Sequence, residues 1–522
     1  MSLFPARSGA HIHPTYAYPN GLDEGPPRPA GRWRSLARGL LWLLALLLAL
    51  VAAWVLSNWR DAEPQPRPAE LAPPQARLPA ERNLAYTLMG LTAAADRDPA
   101  QVGRGLWAAD AHWAQQLQTT AGTAGRDAAL AARAESFRAL LGTPLAQPSG
   151  PPWNCDELEA DCVAQYLDKA DALAQQRQAM AALGARCDGV VDALQLDKGK
   201  AYEELLPADW RLAALSTAGL QAAPLCSRWF HTGAVLAFRQ GRKDEAWRLM
   251  ARSNQLHRAL LAGAHTLLAQ QAFQGSLNRH LAFMGRLAAQ DTAWVAQALP
   301  LVASFGAPEQ AVRRWVLTEA AFGHAALRDA KGSPGDEGAL AVGDPPPSFG
   351  QRALDRLSSG LMARRIGWHP ERTAQLRDQQ WLQLLKRVDG GLSAAVEAQD
   401  AAAVASEGPA LRWWRNPLGR AMVDGSLQAF THHLRRQLDL ELRREAAALA
   451  LNAQRLAIAP AARAAWAQQQ PASTALRSRM SWSADGRTLS VRSWSADVLA
   501  SGQAPAAGDR IVINLDRTTA AS

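Results

Sequence analysis

The chain has 522 residues and a formal net charge of +9, with 48% hydrophobic and 20% charged residues. This balance is typical of a folded chain with room for two or three domains. Only six of the 56 basic residues are Lys, and the arginines alternate with acids instead of forming blocks. The charge pattern therefore argues against nucleic-acid binding, which needs a continuous basic surface.

Residues 1–35 are rich in Pro, Gly and Tyr and lack apolar periodicity, which predicts a disordered tail. Residues 36–59 are very different. The nineteen residues 39–57, which include Gly39, Trp42, Leu47, Trp54 and Ser57, carry no charge. As a helix they would span about 29 Å, close to the hydrocarbon thickness of a bilayer. We predict an uncleaved transmembrane helix. A cleaved signal peptide and a buried core helix are the alternatives.

The arginines that flank this segment predict its orientation. Arg28, Arg32, Arg34 and Arg38 precede it, whereas acidic residues offset the arginines that follow it. The basic side of a membrane helix stays in the cytoplasm. Abundant Arg and Ala suggest a GC-rich bacterial genome. We therefore expect a single-pass protein of the bacterial inner membrane, with a cytoplasmic N-terminal tail and the bulk of the chain in the periplasm.

The composition beyond the apolar segment predicts a mainly α fold. Residues 60–80 form a Pro-rich linker, and residues 81–330 and 351–470 are two helical parts separated by a flexible loop at 331–350. Leu427, Phe430, Leu434, Leu438 and Leu442 recur at helical spacing and predict an amphipathic core helix.

A stretch around Trp229 resembles a helix pair. An apolar helix, a Gly-Arg-Lys turn and a second helix follow one another, with Asp244 as a possible cap and Glu245 near the positive helix end. The turn is similar to that of tetratricopeptide repeats, but no second copy follows at 34 residues. A helix-pair repeat and an ordinary helical hairpin are both open.

Four cysteines lie close together in the first helical part. In an oxidising periplasm they should form disulfides, and of three possible connectivities we favour Cys155–Cys162 and Cys187–Cys226. A continuous helix would hold the first two about 10 Å apart, so Cys155 should precede the helix, with Asp156 as a possible cap. A zinc site that pairs Cys226 with His231 is the alternative.

The final residues, 471–522, show the alternating pattern of β-strands instead of helical spacing. Asp485-Gly486 separates two short alternating runs, and a third run follows, which predicts a small antiparallel β meander.

The sequence contains none of the common catalytic, phosphate-binding, dinucleotide-binding or zinc-protease motifs. We therefore predict no cofactor, no metal and no catalytic residue. Glu319 is a weak candidate for a general acid because it lies within an apolar helix.

Three stretches carry a family resemblance: residues 83–99 (NLAYTLMGLTAAADRDP), residues 416–420 (NPLGR), and the predicted long helix with the MSWSADGRTLSV hairpin after it. Together they resemble uncharacterised proteobacterial single-pass inner-membrane proteins with a large helical periplasmic domain. The resemblance implies this topology and no activity. Locally, Asp98 and Asn416 each precede a Pro, as a helix cap does.

The sequence favours a protein that acts by protein–protein interaction, as a scaffold, assembly factor or accessory factor of the cell envelope. Its expected partners are the inner membrane and other envelope proteins. A periplasmic hydrolase of envelope polymers, with Glu319 as its acid, and a transmembrane sensor subunit are the alternatives.

Overall fold

A computed structural model describes residues 30–58, 60–119, 123–147, 150, 153–158, 161–195, 199–208, 210, 216–332, 368–405, 415–470, 477–494 and 510–514. Most of the predicted tail, nearly all of the predicted loop at 331–350 and the start of the second helical part lie outside these residues. The chain divides into two compact units, Met1–Trp59 and Arg60–Ser522.

The first unit contains one helix, α1 (Ala30–Ser57). Its segment Ser35–Ser57 contains an 18-residue stretch with a mean hydropathy of 2.6, and this stretch is not buried against protein. Trp42, for example, is 77% exposed. A core helix of a soluble domain would cover such side chains, so the alternative of a buried core helix is wrong. The segment is long and apolar enough to cross a membrane, which leaves an anchor or a signal peptide.

The second unit is mainly helical and has a small sheet near the end of the chain, as predicted. Its α-helices, joined by several short 3-10 turns, are α2 (Ala85–Met89), α3 (Pro99–Thr119), α4 (Thr123–Leu141), α5 (Cys162–Asp168), α6 (Ala170–Ala179), α7 (Ala181–Ala193), α8 (Ala222–Arg239), α9 (Lys243–Gly263), α10 (Leu267–Ala289), α11 (Val295–Ala298), α12 (Val312–Gly332), α13 (Pro370–Asp389), α14 (Leu392–Ala405), α15 (Pro417–Arg455) and α16 (Arg463–Gln468).

The second unit contains two large hydrophobic cores. The first core is built from α2 and α5–α11 and includes Tyr166, Phe230, Phe273 and Phe283. The second is built from α12–α15, the sheet and Leu71. Between residues 305 and 312 the chain passes from the first core into the second, so α12 packs with the later helices. The division into cores does not test the predicted domain boundary near residue 330, which stays a prediction.

The long helix α15 joins the two cores. Its 39 residues extend about 58 Å. The predicted stripe is buried in the second core at Phe430, Leu434, Leu438 and Leu442. Other positions, among them Leu440, Ala447 and Leu451, belong to the first core. The helix is thus buried on more than the one face that an amphipathic pattern indicates.

The Pro-rich segment at residues 60–80 packs on the rest of the second unit. Leu71 is fully buried in the second core. The Asp61 carboxylate accepts hydrogen bonds from the backbone amides of Glu371 and Arg372, in the first turn of α13. A carboxylate at this position satisfies otherwise unpaired amides and the helix dipole.

Three predicted helix caps differ in detail from the structure. Asp161, not Asp156, caps α5 by accepting from the Ala164 amide. Asp244 lies inside the first turn of α9, whose cap position is Arg242. Asn416 does precede Pro417 at the start of α15, but its side chain makes no capping bond.

Asn416 instead joins two helices. Its buried side-chain oxygen accepts from the His369 amide at 3.0 Å, and its amide donates to Thr373 Oγ1 at 2.9 Å. By contrast, Asp98 caps α3 as predicted, accepting from the Ala100 amide at 2.7 Å.

The predicted β meander is present. Strands β1 (Met480–Trp482), β2 (Thr488–Arg492) and β3 (Arg510–Asn514) form an antiparallel sheet in the order β1-β2-β3. The predicted Asp485-Gly486 turn joins β1 to β2, with Gly486 at a φ of +65°. Leu489 and Val491 are fully buried and attach the sheet to the second core.

Helices α8 and α15 end in the same motif, with different residues in the left-handed position. In each, two amides beyond the last turn donate back to its carbonyls: Gly241 and Arg242 after α8, Ala457 and Ile458 after α15. The φ is +75° at Gly241 and +49° at Ala457. A side chain is disfavoured in this conformation by about 1–2 kcal/mol.

We predict that Ala457→Gly stabilises the protein by about 0.5–1 kcal/mol, because the relief of the left-handed strain exceeds the entropy cost of glycine. The matched variant Gly241→Ala should destabilise it by a similar amount. Urea unfolding of the full chain followed by tryptophan fluorescence measures both. If both variants changed the free energy of unfolding in the same direction, the assignment of Ala457 to a strained left-handed position would be wrong.

Candidate functional site

The two disulfides have the pairing that the sequence favours, Cys155–Cys162 and Cys187–Cys226. The first closes a loop ahead of α5, and the second ties α7 to α8. Their separations of 7 and 39 residues correspond to about 2.5 and 4 kcal/mol of stabilisation in the chain-entropy description. Because all four cysteine sulfurs are in disulfides, none is a thiolate ligand, and the zinc alternative at Cys226 and His231 is wrong.

A cleft of about 770 Å³, here called the first cleft, lies between α2, the Cys155–Cys162 loop and the start of α8. Arg228 and Arg279 line it together with Asp156 and Glu157. Arg228 donates to Asn154 Oδ1 at 3.4 Å, and Arg279 Nε lies 3.8 Å from Asp156 Oδ1. The volume is in the range of small-molecule sites.

Ser227 lines the first cleft and is the residue next to the disulfide at Cys226. It is 5% exposed. Two imidazoles reach its hydroxyl: His257 Nε2 lies 3.1 Å and His231 Nε2 3.4 Å from Ser227 Oγ. Ser227 and His231 are four residues apart on α8, and this spacing places them on one helix face.

Glu157 approaches the other side of His231. Its Oε1 atom lies 3.5 Å from His231 Nδ1, and both side chains are buried. Burial by itself would raise the pKa of Glu157, but the adjacent His231 ring outweighs it and holds this pKa below its usual value. Glu157 is therefore ionised at neutral pH. It stands two residues after Cys155, so the disulfide loop positions its carboxylate.

Two further histidines complete the cluster, here called the histidine cluster: His231, His257 and His280, all fully buried. His280 Nδ1 lies 3.1 Å from His231 Nε2, and the Phe283 ring stacks on His231 with centroids 4.2 Å apart. Burial lowers the pKa of His257 to about 3 and that of His280 well below its ordinary value. Both rings are therefore neutral at pH 7.

Hydrogen bonds connect the members of the histidine cluster. His280 Nδ1 reaches His231 Nε2, and His257 Nε2 reaches Ser227 Oγ. Among the residues that the structure describes, no group of three or more His, Cys, Asp or Glu side chains has a geometry that could hold a metal ion.

Glu319, the acid suggested by the sequence, lies elsewhere. Its carboxylate accepts the Leu267 amide at 3.0 Å at the start of α10, and burial raises its pKa. Glu204 accepts the amides of His265 and Thr266 at the same helix end. These carboxylates pair with the amides at the helix terminus that have no partner within the helix. Glu319 lines neither of the two clefts described here.

A second cleft, of about 470 Å³, lies where the Pro-rich segment meets the ends of α9 and α12. Arg77, Arg313 and Arg314 line it with Glu203, whose carboxylate also accepts the backbone amides of Arg77 and Leu78. Burial and the like charge of Arg77 lower the pKa of Arg314, while Glu203 opposes this. Arg313 is paired with Asp389 at 2.7 Å, so the excess of positive charge in the second cleft comes from Arg77 and Arg314 against Glu203.

Sequence reasoning located the cysteines and the apolar helix but missed Ser227, Glu157, His257 and His280, and it named His231 only as a possible zinc ligand. Apart from Ser227 and His231, which share α8, these residues come from separate elements. One signal was available: a Ser and a His four residues apart, directly after a predicted disulfide cysteine.

Comparison of the chain with protein-family models, with curated proteins and with solved structures finds no match. The resemblance to single-pass inner-membrane proteins of proteobacteria accordingly remains a prediction.

The neutral, buried His257 predicts acid destabilisation. Its folded-state pKa of about 3 lies below the ordinary value of 6.5, so the unfolded chain takes up the proton first. Stability is complete above pH 6.5 and falls as the pH drops toward 3. Between pH 7 and pH 5 this one group removes about 2 kcal/mol.

Urea unfolding of the full chain at both pH values measures this loss. His257→Gln should reduce the difference between pH 7 and pH 5 by about 2 kcal/mol. His112→Gln, at an exposed position on α3, should leave the difference unchanged. An unaltered pH dependence in His257→Gln would refute the assignment.

Proposed function

We propose that the protein is a single-pass protein of the bacterial inner membrane, with a cytoplasmic N-terminus and a periplasmic second unit. Three observations support this. The apolar part of Ser35–Ser57 is uncovered by protein. Arginines crowd the flank that precedes it. Both disulfides form, and structural disulfides persist in oxidising compartments.

We infer that the second unit acts by binding another envelope protein, as a scaffold, assembly factor or accessory factor. This proposal rests on the charge imbalance of the second cleft. Arg77 and Arg314 repel each other there, and Glu203 is the acidic residue of the lining. An acidic polypeptide segment would relieve this repulsion, and the apolar lining would receive its uncharged side chains. Complementary charge of this kind favours fast and selective association.

The hydrolase alternative gains no support from Glu319, because that carboxylate is engaged with the Leu267 amide. The sensor alternative depends on the N-terminal tail, most of which lies outside the described residues.

The membrane topology has a direct test. We predict that the full chain stays in the membrane pellet after an alkaline carbonate wash. A reporter active only in the periplasm should be active when fused after residue 80 and inactive when fused before residue 30. A chain recovered in the soluble fraction and beginning beyond Trp59 would show instead that the segment is a cleaved signal.

The binding function is tested by photocrosslinking in intact cells. A photoreactive amino acid at Gln75, which is exposed and lines the second cleft, should give a discrete adduct with an envelope protein. The same substitution at Glu135, exposed on α4, is the matched control.

Charge reversal then tests the recognition. Arg77→Glu should abolish the Gln75 adduct, and added salt should weaken it, because screening acts on exposed charges. Mass spectrometry should map the contact to an acidic stretch of the partner. An adduct with lipid, equal adducts from Glu135, or an adduct that survives charge reversal would overturn the proposal.

A further inference from the structure

We propose that the first cleft binds an uncharged saccharide, which Glu157, Arg228 and Arg279 hold by hydrogen bonds to its hydroxyl groups. This site goes beyond the binding function proposed for the second cleft, and the two clefts have no lining residue in common.

The carboxylate of Glu157 points to a ligand in the first cleft. This side chain lines the cleft and is only 5% exposed. It makes no hydrogen bond with the residues that the structure describes, because the nitrogen that faces it, His231 Nδ1, lies 3.5 Å away and is itself without a hydrogen-bond partner. A buried carboxylate without a donor is costly. A hydroxyl group in the cleft would supply that donor.

Two arginines offer hydrogen-bond donors to the same space. Within the described part of the chain, the Arg228 guanidinium makes one long hydrogen bond, at 3.4 Å to Asn154 Oδ1. Arg279 Nε lies 3.8 Å from Asp156 Oδ1, beyond hydrogen-bonding distance. A guanidinium carries several N–H donors in a fixed plane. Most of the donors of these two arginines are therefore available to a ligand.

The charges of the lining favour a ligand that is itself uncharged. Arg228 and Arg279 face Asp156 and Glu157, so the formal charges of the first cleft cancel. The ligand must nevertheless donate to a carboxylate and accept from a guanidinium. A saccharide hydroxyl does both at once, and neighbouring hydroxyls can pair with both oxygens of one carboxylate.

The rest of the lining fits the same class of ligand. Seven of the eighteen lining residues end in an amide, a carboxylate or a guanidinium, which are planar groups that can bond two adjacent hydroxyls. Leu88, Leu91 and Leu225 supply apolar surface for the C–H faces of a sugar ring. No described residue of the lining is aromatic, which disfavours a ligand held by stacking, such as a nucleobase. The volume of about 770 Å³ gives room for a disaccharide.

The test is saturation-transfer NMR on the full chain in lipid nanodiscs. The probes are three neutral disaccharides: maltose, sucrose and N,N′-diacetylchitobiose. At least one of them should receive saturation from the protein, and a titration then gives its Kd. The zwitterionic dipeptide diglycine and the neutral amide N-acetylglycinamide represent the competing ligand classes, and neither should receive saturation.

Three variants and one control locate the site. Glu157→Gln should raise the Kd at least ~10-fold, because it removes a charged acceptor. Glu135→Gln, at an exposed position on α4, should leave the Kd unchanged. Arg279→Gln should also raise the Kd, and its 43% exposed side chain can be changed without disturbing a core. Leu225→Trp places a larger side chain in the lining and should abolish binding.

The proposal is overturned if none of the three disaccharides receives saturation, or if only diglycine or the amide does. A Kd that stays the same in both Arg279→Gln and Leu225→Trp would also overturn it, because binding would then occur elsewhere. If Glu157→Gln fails to fold, these two variants still decide the question. The Gln75 crosslink involves no residue of the first cleft, so the two proposals fail separately.

Discussion

The burial of helix α8 among its neighbours determines which polar contacts its side chains make. Helices α5, α6, α7, α9 and α10 all contact it, and eleven of its eighteen residues are buried. A fully buried polar side chain on such a helix must find its partner inside the protein. His231 contacts His280 and Ser227, and Ser227 also contacts His257. Glu157 faces the other nitrogen of His231 at 3.5 Å.

The two disulfides fix the positions of Ser227 and Glu157 beside His231. Cys226 fixes the start of α8 against α7, directly beside Ser227. Cys155 and Cys162 close the loop that brings Glu157 to His231. In a reducing compartment the loop would lose its covalent closure, and the carboxylate would be held by packing and hydrogen bonds alone. The geometry of the first cleft is thus linked to the redox state of its surroundings.

Features with local causes could be predicted from the sequence. The apolar run of α1, the Asp485-Gly486 turn, the Asp98 cap and the short Cys155–Cys162 bridge all follow from neighbouring residues. Asn416 shows where such reasoning ends: its position before a proline indicates a cap, yet its amide is used to join α13 to α15. The histidine cluster depends entirely on long-range packing, because residues 157, 231, 257 and 280 meet only when four elements assemble. No periodicity in the sequence contains that information.

The two clefts differ in physical character, and this separates their roles. The second cleft has an exposed Arg77 and a half-buried Arg314, and their positive charge suits recognition of a large acidic partner. The first cleft has balanced charges, which suits a small uncharged ligand. In a membrane-anchored protein both clefts would face the same compartment, so a small ligand and a partner protein could be bound together. Because the clefts share no lining residue, occupation of one need not obstruct the other.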